Sequence, residues 1–260
     1  MRLAIEAKLD YDFAEPSDIL LAVEAAATPD QRIIEQSHII NNAGPLTNKV
    51  GGSGIGRRTW TRTGTGQMVS TYRALVEVER SSVDLAGLRK SPLPSLPEDV
   101  LPFIWPSRYC EADRFVSFVG GHFLDLEGGA LVLALERWVH DNIAYVSGSS
   151  NVGTTAADTF VAQQGVCRDF AHLTAALIRS RDIPARLVSV YALDLDPPDF
   201  HAVVEVWLDG AWHLLDATRL APVETMVRIA VGRDATDIAF MTVFGSAGMN
   251  AQSIHVTRVE

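Results

Sequence analysis

Prolines divide this chain. Five of its twelve, Pro92, Pro94, Pro97, Pro102 and Pro106, fall within fifteen residues. A pyrrolidine ring fixes φ and removes an N–H donor, so neither a helix interior nor a central strand runs through such a stretch. The segment 86–106 therefore reads as an extended proline-rich linker, and the two flanks follow different patterns. On the N-terminal side, Leu3 to Leu9 alternates apolar and polar residues, and Thr71 to Glu79 does so most clearly; 17–26 and 31–40 are shorter candidates. Turn signals separate them at Pro16, Thr28-Pro29-Asp30 and Asn41 to Pro45. Short strands at this spacing predict an antiparallel β-sandwich domain over 1–85.

Beyond the linker the period changes. Leu131, Leu135, Trp138 and Val139 recur at helical spacing, predicting a helix that ends near Asn142. A second helix is expected from Val166 to Arg181, with Phe170, Leu173, Ala176, Leu177 and Ile178 as its apolar stripe. Arg179 and Arg181 suit its C-terminal dipole, and Pro184 stops it. Strands follow over 185–191, 202–208 and 211–217, so 107–260 reads as an α+β domain.

Composition narrows the function classes. With 47% hydrophobic residues over 260 positions, the chain can bury a sizeable core. The 22 Lys and Arg against 32 Asp and Glu leave a formal net charge of −10, which repels a phosphate backbone, so no nucleic-acid partner is expected. No run approaches the ~20 apolar residues of a membrane span. Acidic residues stand in MRLAIEAKLDYDF where a signal peptide would be apolar, so a cytoplasmic protein without a membrane partner is expected. Two cysteines, Cys110 and Cys167, are too few for a disulfide framework or a four-cysteine zinc site. The Gly51 to Gly56 run lacks a Gly-Lys-Ser/Thr ending and the spacing of a dinucleotide loop, so it reads as a hairpin connection rather than a phosphate cradle.

Chemistry concentrates in two places. In Gln163-Gln164-Gly165-Val166-Cys167-Arg168-Asp169, the glycine permits a sharp turn and sets Cys167 in the first turn of a helix. The free amides and the dipole there stabilise a thiolate, and the same amides can donate to an oxyanion. A small buried apolar residue is the alternative role for such a cysteine. Further on, Asp209-Gly210 is a strong hairpin signal between His201–Leu208 and Ala211–Thr218. A two-residue loop pairs Leu208 with Ala211 and faces Trp207 with Trp212. It also makes Asp216 the diagonal neighbour of His201 on one sheet face, whereas a three-residue loop would put the two on opposite faces. The spacing thus predicts an imidazole held by a carboxylate.

These residues resemble a known family. Gly165-Val-Cys167-Arg-Asp169-Phe-Ala, Ile183-Pro-Ala-Arg186, His201-Ala-Val-Val-Glu205-Val and Leu215-Asp216-Ala-Thr218 are similar to the bacterial branch of the transglutaminase-like cysteine enzymes. Pro106-Ser-Arg-Tyr-Cys110 and Gly232 to Ile238 also resemble that branch. The resemblance implies an α+β, papain-like transglutaminase core preceded by the β-sandwich. It implies a triad of Cys167 as nucleophile, His201 as base and Asp216 as orienting acid. Val203 stands where the family has the tryptophan of His-Ala-Trp.

The implied activity is cysteine-dependent acyl transfer on peptide or glutamine amides, with a peptide or protein amide as partner and no cofactor. A non-catalytic scaffold that keeps the fold is the alternative, against which the retention of all three residues speaks. Gln164 and Trp138 are candidate oxyanion donors, and Asp169 a candidate cap for the helix carrying Cys167. Cys110 reads as a buried thiol. His172 points away from Cys167, and His213 lies on the sheet face opposite Asp216. Asp194, Asp196 and Asp199 form a solvated acidic loop without calcium-binding spacing, so no metal site is expected.

Overall fold

The structure, a computed structural model, describes residues 1–259. Chain order runs β1 (Arg2–Phe13), β2 (Asp18–Leu21), β3 (Gln31–Ile40), β4 (Thr47–Val50), β5 (Arg57–Arg62) and β6 (Gly66–Val78). After the proline-rich segment come α1 (Val116–His122), α2 (Gly128–Asn142), β7 (Ala144–Tyr145), α3 (Ala156–Ala162), β8 (Gln164–Gly165) and α4 (Cys167–Arg179). The chain closes with β9 (Ala185–Ala192), β10 (His201–Leu208), β11 (Ala211–Leu215), β12 (Met226–Gly232), α5 (Ala235–Ile238), β13 (Met241–Phe244) and β14 (Ala247–Val259).

Three four-stranded antiparallel sheets result, in the orders β14-β1-β6-β3, β13-β2-β5-β4 and β11-β10-β9-β12. In β1 the alternation of buried Leu3, Ile5, Ala7 and Leu9 with more exposed neighbours is the period-two pattern the sequence carries. The Gly51–Gly56 run is indeed the connection of a hairpin, closing Val50 against Arg57.

The expected division at 107–260 does not survive the strand pairing. β14 forms the edge beside β1, with Ile5 opposite Val256, and β13 pairs with β2. The last strands thus complete sheets built by the first ones. One continuous buried cluster runs from Leu3 through Leu135 and Leu177 to Ile254.

The proline-rich segment packs against the molecule as a strap. It carries short 3-10 turns at Leu85–Gly87, Leu93–Ser95 and Leu101–Phe103. Leu88 O accepts from Gly129 N at 2.8 Å, and Arg89 O accepts from Asp209 N at 3.0 Å. A Cβ on Gly129 would lie 1.6 Å from Leu85 O, so only glycine lets the strap cross the start of α2.

Helix α4 is buried on nearly every side rather than along one stripe. Its Leu173, Ala176 and Leu177 share the core with Leu187, Tyr191, Val204 and Val206 of β9 and β10. Arg179 is only 2% exposed, so it is no solvated dipole partner. Its guanidinium donates instead to Ala185 O at 2.8 Å and Ser107 Oγ at 3.2 Å, tying the helix end to its surroundings.

Candidate active site

Gly165 and Asp169 set the start of α4. A Cβ on Gly165 would sit 2.7 Å from Asp169 Cβ, so this glycine is required by close approach rather than by a left-handed turn. The left-handed residue is Gln163, with φ of 52°, which ends α3. Asp169 is fully buried, and its Oδ2 accepts from Val166 N at 2.8 Å. That bond caps the start of α4. Cys167 follows as the first helical residue, half-buried. Arg168 turns away from the thiol, donating to Asn151 O at 2.7 Å and pairing with Asp169 at 3.1 Å. This clasps the 146–155 loop onto α4.

The hairpin places the imidazole and the carboxylate. Asp209 and Gly210 have φ of 45° and 81°, the left-handed pair a two-residue hairpin turn demands. Leu208 pairs with Ala211 and Trp207 with Trp212, the register read from the sequence. His201 Nε2 lies 2.9 Å from Asp216 Oδ2, with both side chains buried. Asp216 Oδ1 accepts from Thr218 N at 2.9 Å and from Thr218 Oγ1 at 2.8 Å. Both oxygens thus act as acceptors, which puts the imidazole hydrogen on Nε2 and leaves Nδ1 for another partner. The Cys167 thiol also acts on this ring, and Thr218 Oγ1 lies 3.4 Å from Nε2.

Electrostatics follow from that arrangement. Burial pulls the His201 pKa down, but the bonds and charges of Asp216 and Cys167 outweigh it and push it up to about 10. The imidazolium form is therefore favoured at neutral pH. Tyr145, at the exposed end of β7, has its hydroxyl beside both the thiol and the backbone of Cys167. Burial first, and then the Cys167 charge, push it up to about 12. Sequence reasoning missed Tyr145. The one signal was its place in an apolar-aromatic pair, and the parallel pairing of Tyr145 with Gly165 that brings it to Cys167 is non-local.

The remaining candidates fall elsewhere. Trp138 is committed to an aromatic cluster, 5.0 Å from Phe118 and 5.4 Å from Phe160 between ring centroids. Its ring is used in packing, and its indole makes no hydrogen bond to the site among the described residues. Gln164 is exposed on β8, paired with Ala144, and its side chain makes no hydrogen bond among the described residues. Cys110 is fully buried, and burial pushes its thiol up to about 11. His172 is buried and stacked on Tyr109 at 5.1 Å, with Nε2 accepting from Ala235 N at 3.1 Å. His213 donates to Leu208 O at 3.2 Å, away from Asp216. Asp199 accepts from Phe200 N at 2.7 Å, while Asp194 and Asp196 are exposed.

An α+β core that gathers a helix-start thiol, an imidazole and a carboxylate defines a transglutaminase-like class of protein. The chain belongs to the transglutaminase-like superfamily, whose family profile matches residues 126–217. All of Cys167, His201 and Asp216 fall inside that span. A crystal structure from Cytophaga hutchinsonii, titled a "putative cysteine protease", is 35% identical. It covers 100% of this chain and 91% of its own, with a TM-score of 0.92. An uncharacterized protein of Mycobacterium leprae is 28% identical over 190 residues, 66% of each chain. An uncharacterized protein of Mycobacterium tuberculosis is 31% identical over 116 residues, 38% of this chain and 37% of its own. The chain thus spans about two thirds of the first mycobacterial relative and little more than a third of the second. Among the described residues, no helix is long and apolar enough to cross a membrane.

Proposed function

We propose that this protein is a cysteine-dependent acyl-transfer enzyme acting on amide bonds of peptides or on glutamine side chains. The Cys167 thiolate attacks the amide carbonyl carbon, and the Cys–C bond forms as the carbonyl electrons move to oxygen. The Tyr145 hydroxyl and the Cys167 backbone N–H, lying together beside the thiol, donate to that oxyanion. The His201 imidazolium gives its proton to the leaving nitrogen, the C–N bond breaks, and a thioester remains. Water or a primary amine then attacks the thioester, His201 takes up its proton, and the thiolate leaves. Asp216 holds the imidazole in one orientation and supports its cation throughout.

The observation that carries the reading is the buried 2.9 Å bond between His201 and Asp216, on a ring that the Cys167 thiol also acts on. A scaffold that had lost its chemistry would have no need of an imidazolium balanced between a thiol and a carboxylate. The test incubates the protein and its Cys167→Ala variant with a glutamine-containing peptide library. Ammonia release alone, amine incorporation or backbone cleavage each identifies the second nucleophile or the bond broken. Activity absent from both proteins, together with iodoacetamide labelling of Cys167 no faster than free cysteine, would favour the scaffold.

A further inference from the structure

Asp216 lies just past the last paired residue of β11, where Val204 faces Leu215 and the ladder ends. Sheet hydrogen bonds do not hold the turn that follows. Arg219 N closes it onto Asp216 O at 3.2 Å, and Arg219 itself has φ of 56°, a conformation that non-glycine residues seldom keep unless held. Thr218 bonds Asp216 from within the turn, and α2 grips the turn from outside. Its Glu136, 6% exposed, accepts the Arg219 fork through Nε at 2.8 Å and Nη2 at 2.9 Å. One helical turn on, His140 Nδ1 meets Ala217 O at 3.1 Å. Two residues on one face of α2 thus grip the turn that directly follows the carboxylate.

We propose that Glu136 and Arg219 form a positioning pair, whose bidentate contact fixes the turn that aims Asp216 Oδ2 at His201 Nε2. This rests on the reading of Cys167, His201 and Asp216 as one working unit. A planar guanidinium gripping a carboxylate through two bonds restricts rotation as well as distance, which a single bond does not. Loss of the fork frees the turn, lengthens the Asp216–His201 bond and withdraws support from the imidazolium. The groups that act on His201 are Asp216 from the turn, Cys167 from α4 and Asp199 from the loop before β10, with Tyr145 reaching it only through Cys167. Those acting on Arg219 are Glu136 and Asp141, both from α2. None of the others is altered by a change at residue 136 or 219, so a change in His201 reports on the turn.

The test is an NMR titration of the His201 imidazole in the full chain, which needs no substrate. Glu136→Gln should lower the midpoint of His201 by at least about one pH unit, a tenfold change in its proton affinity. Arg219→Gly is the second variant, because glycine takes the left-handed φ freely and protects the fold while deleting the fork. It should lower the midpoint as well, and Arg219→Lys, which keeps the charge without the fork, should fall between it and the parent protein. An unchanged His201 midpoint in folded Arg219→Gly would overturn the proposal. A lowered midpoint in a protein whose parent turns over no amide would uphold the positioning pair while removing the acyl-transfer reading. An active parent with unmoved midpoints in the variants would remove the pair alone.

Discussion

Around Cys167 the contribution of single residues separates by what each side chain touches. Tyr145 meets the thiol and the backbone of Cys167, so Tyr145→Phe removes a donor without changing the ring. The expected result is a loss of about 10²-fold in kcat with KM little changed, measured on the amide substrate found by library screening. A change confined to KM would assign the hydroxyl to binding instead. His172 illustrates the opposite case, a titratable group with no part in the chemistry. Burial holds its pKa down to about 3 from an ordinary 6.5, so between those values the unfolded chain binds a proton that the folded chain refuses. Its contribution to stability is present above pH 6.5 and is lost as pH falls through that window, by about 1.4 kcal/mol per unit. His172→Phe keeps the ring over Tyr109 but strands Ala235 N, costing about 1–3 kcal/mol at pH 7. Urea unfolding at pH 7 and pH 5 should show a stability difference about 2 kcal/mol smaller in His172→Phe than in the parent; an identical difference would contradict the buried neutral imidazole.

Among the elements, the hairpin β10–β11 was the most legible. Asp209-Gly210 dictates a tight turn, and a tight turn fixes every pairing back to Val204, which carries His201 and Asp216 to one face. Helices α2 and α4 were legible from their apolar spacing. The seven-residue α1 and α3 were not, since neither spans two turns of pattern. Gly120 and Gly121 further weaken α1, although Thr155 and Asp158 do form a capping box at the start of α3. β14 shows local alternation at Ser253 to Thr257, but nothing in those residues names β1 as the partner. A register between distant segments is written in the packing of the whole, not in either strand. The same holds for Glu205, quoted in the His201 motif yet revealed only in three dimensions as a buried bridge. It accepts from Arg186 Nε at 2.7 Å on β9 and Arg228 Nε at 2.6 Å on β12. Arg228 in turn donates to Asp30 at 2.8 Å. Glu205→Gln leaves the buried Arg186 guanidinium without a carboxylate while Arg228 keeps Asp30, and equilibrium unfolding should show a loss of about 3–5 kcal/mol. A loss under about 1 kcal/mol would mean that Arg186 finds another partner.

For the molecule as a whole, the chain ends fold back together. β1 and β14 lie side by side, and buried side chains connect the sheets to α2 and α4 without a break. The proline cluster marks a change of pattern, but a change of secondary structure is not a change of core. A shared core predicts one cooperative transition by calorimetry, whereas separable domains would give two. Ile254, 2% exposed on the last strand, probes this directly. Ile254→Ala should destabilise the protein by about 2–4 kcal/mol and move that single transition down intact, not split it. That Cys167, His201 and Asp216 act as one unit is tested by a double-mutant cycle on turnover. Cys167→Ala should abolish amide turnover, and Asp216→Asn should lower kcat/KM by about 10²- to 10⁴-fold. The double variant should be no worse than Cys167→Ala alone, because the carboxylate acts only through the thiol's partner. Substantial turnover by Cys167→Ala, or losses that simply multiply, would contradict it.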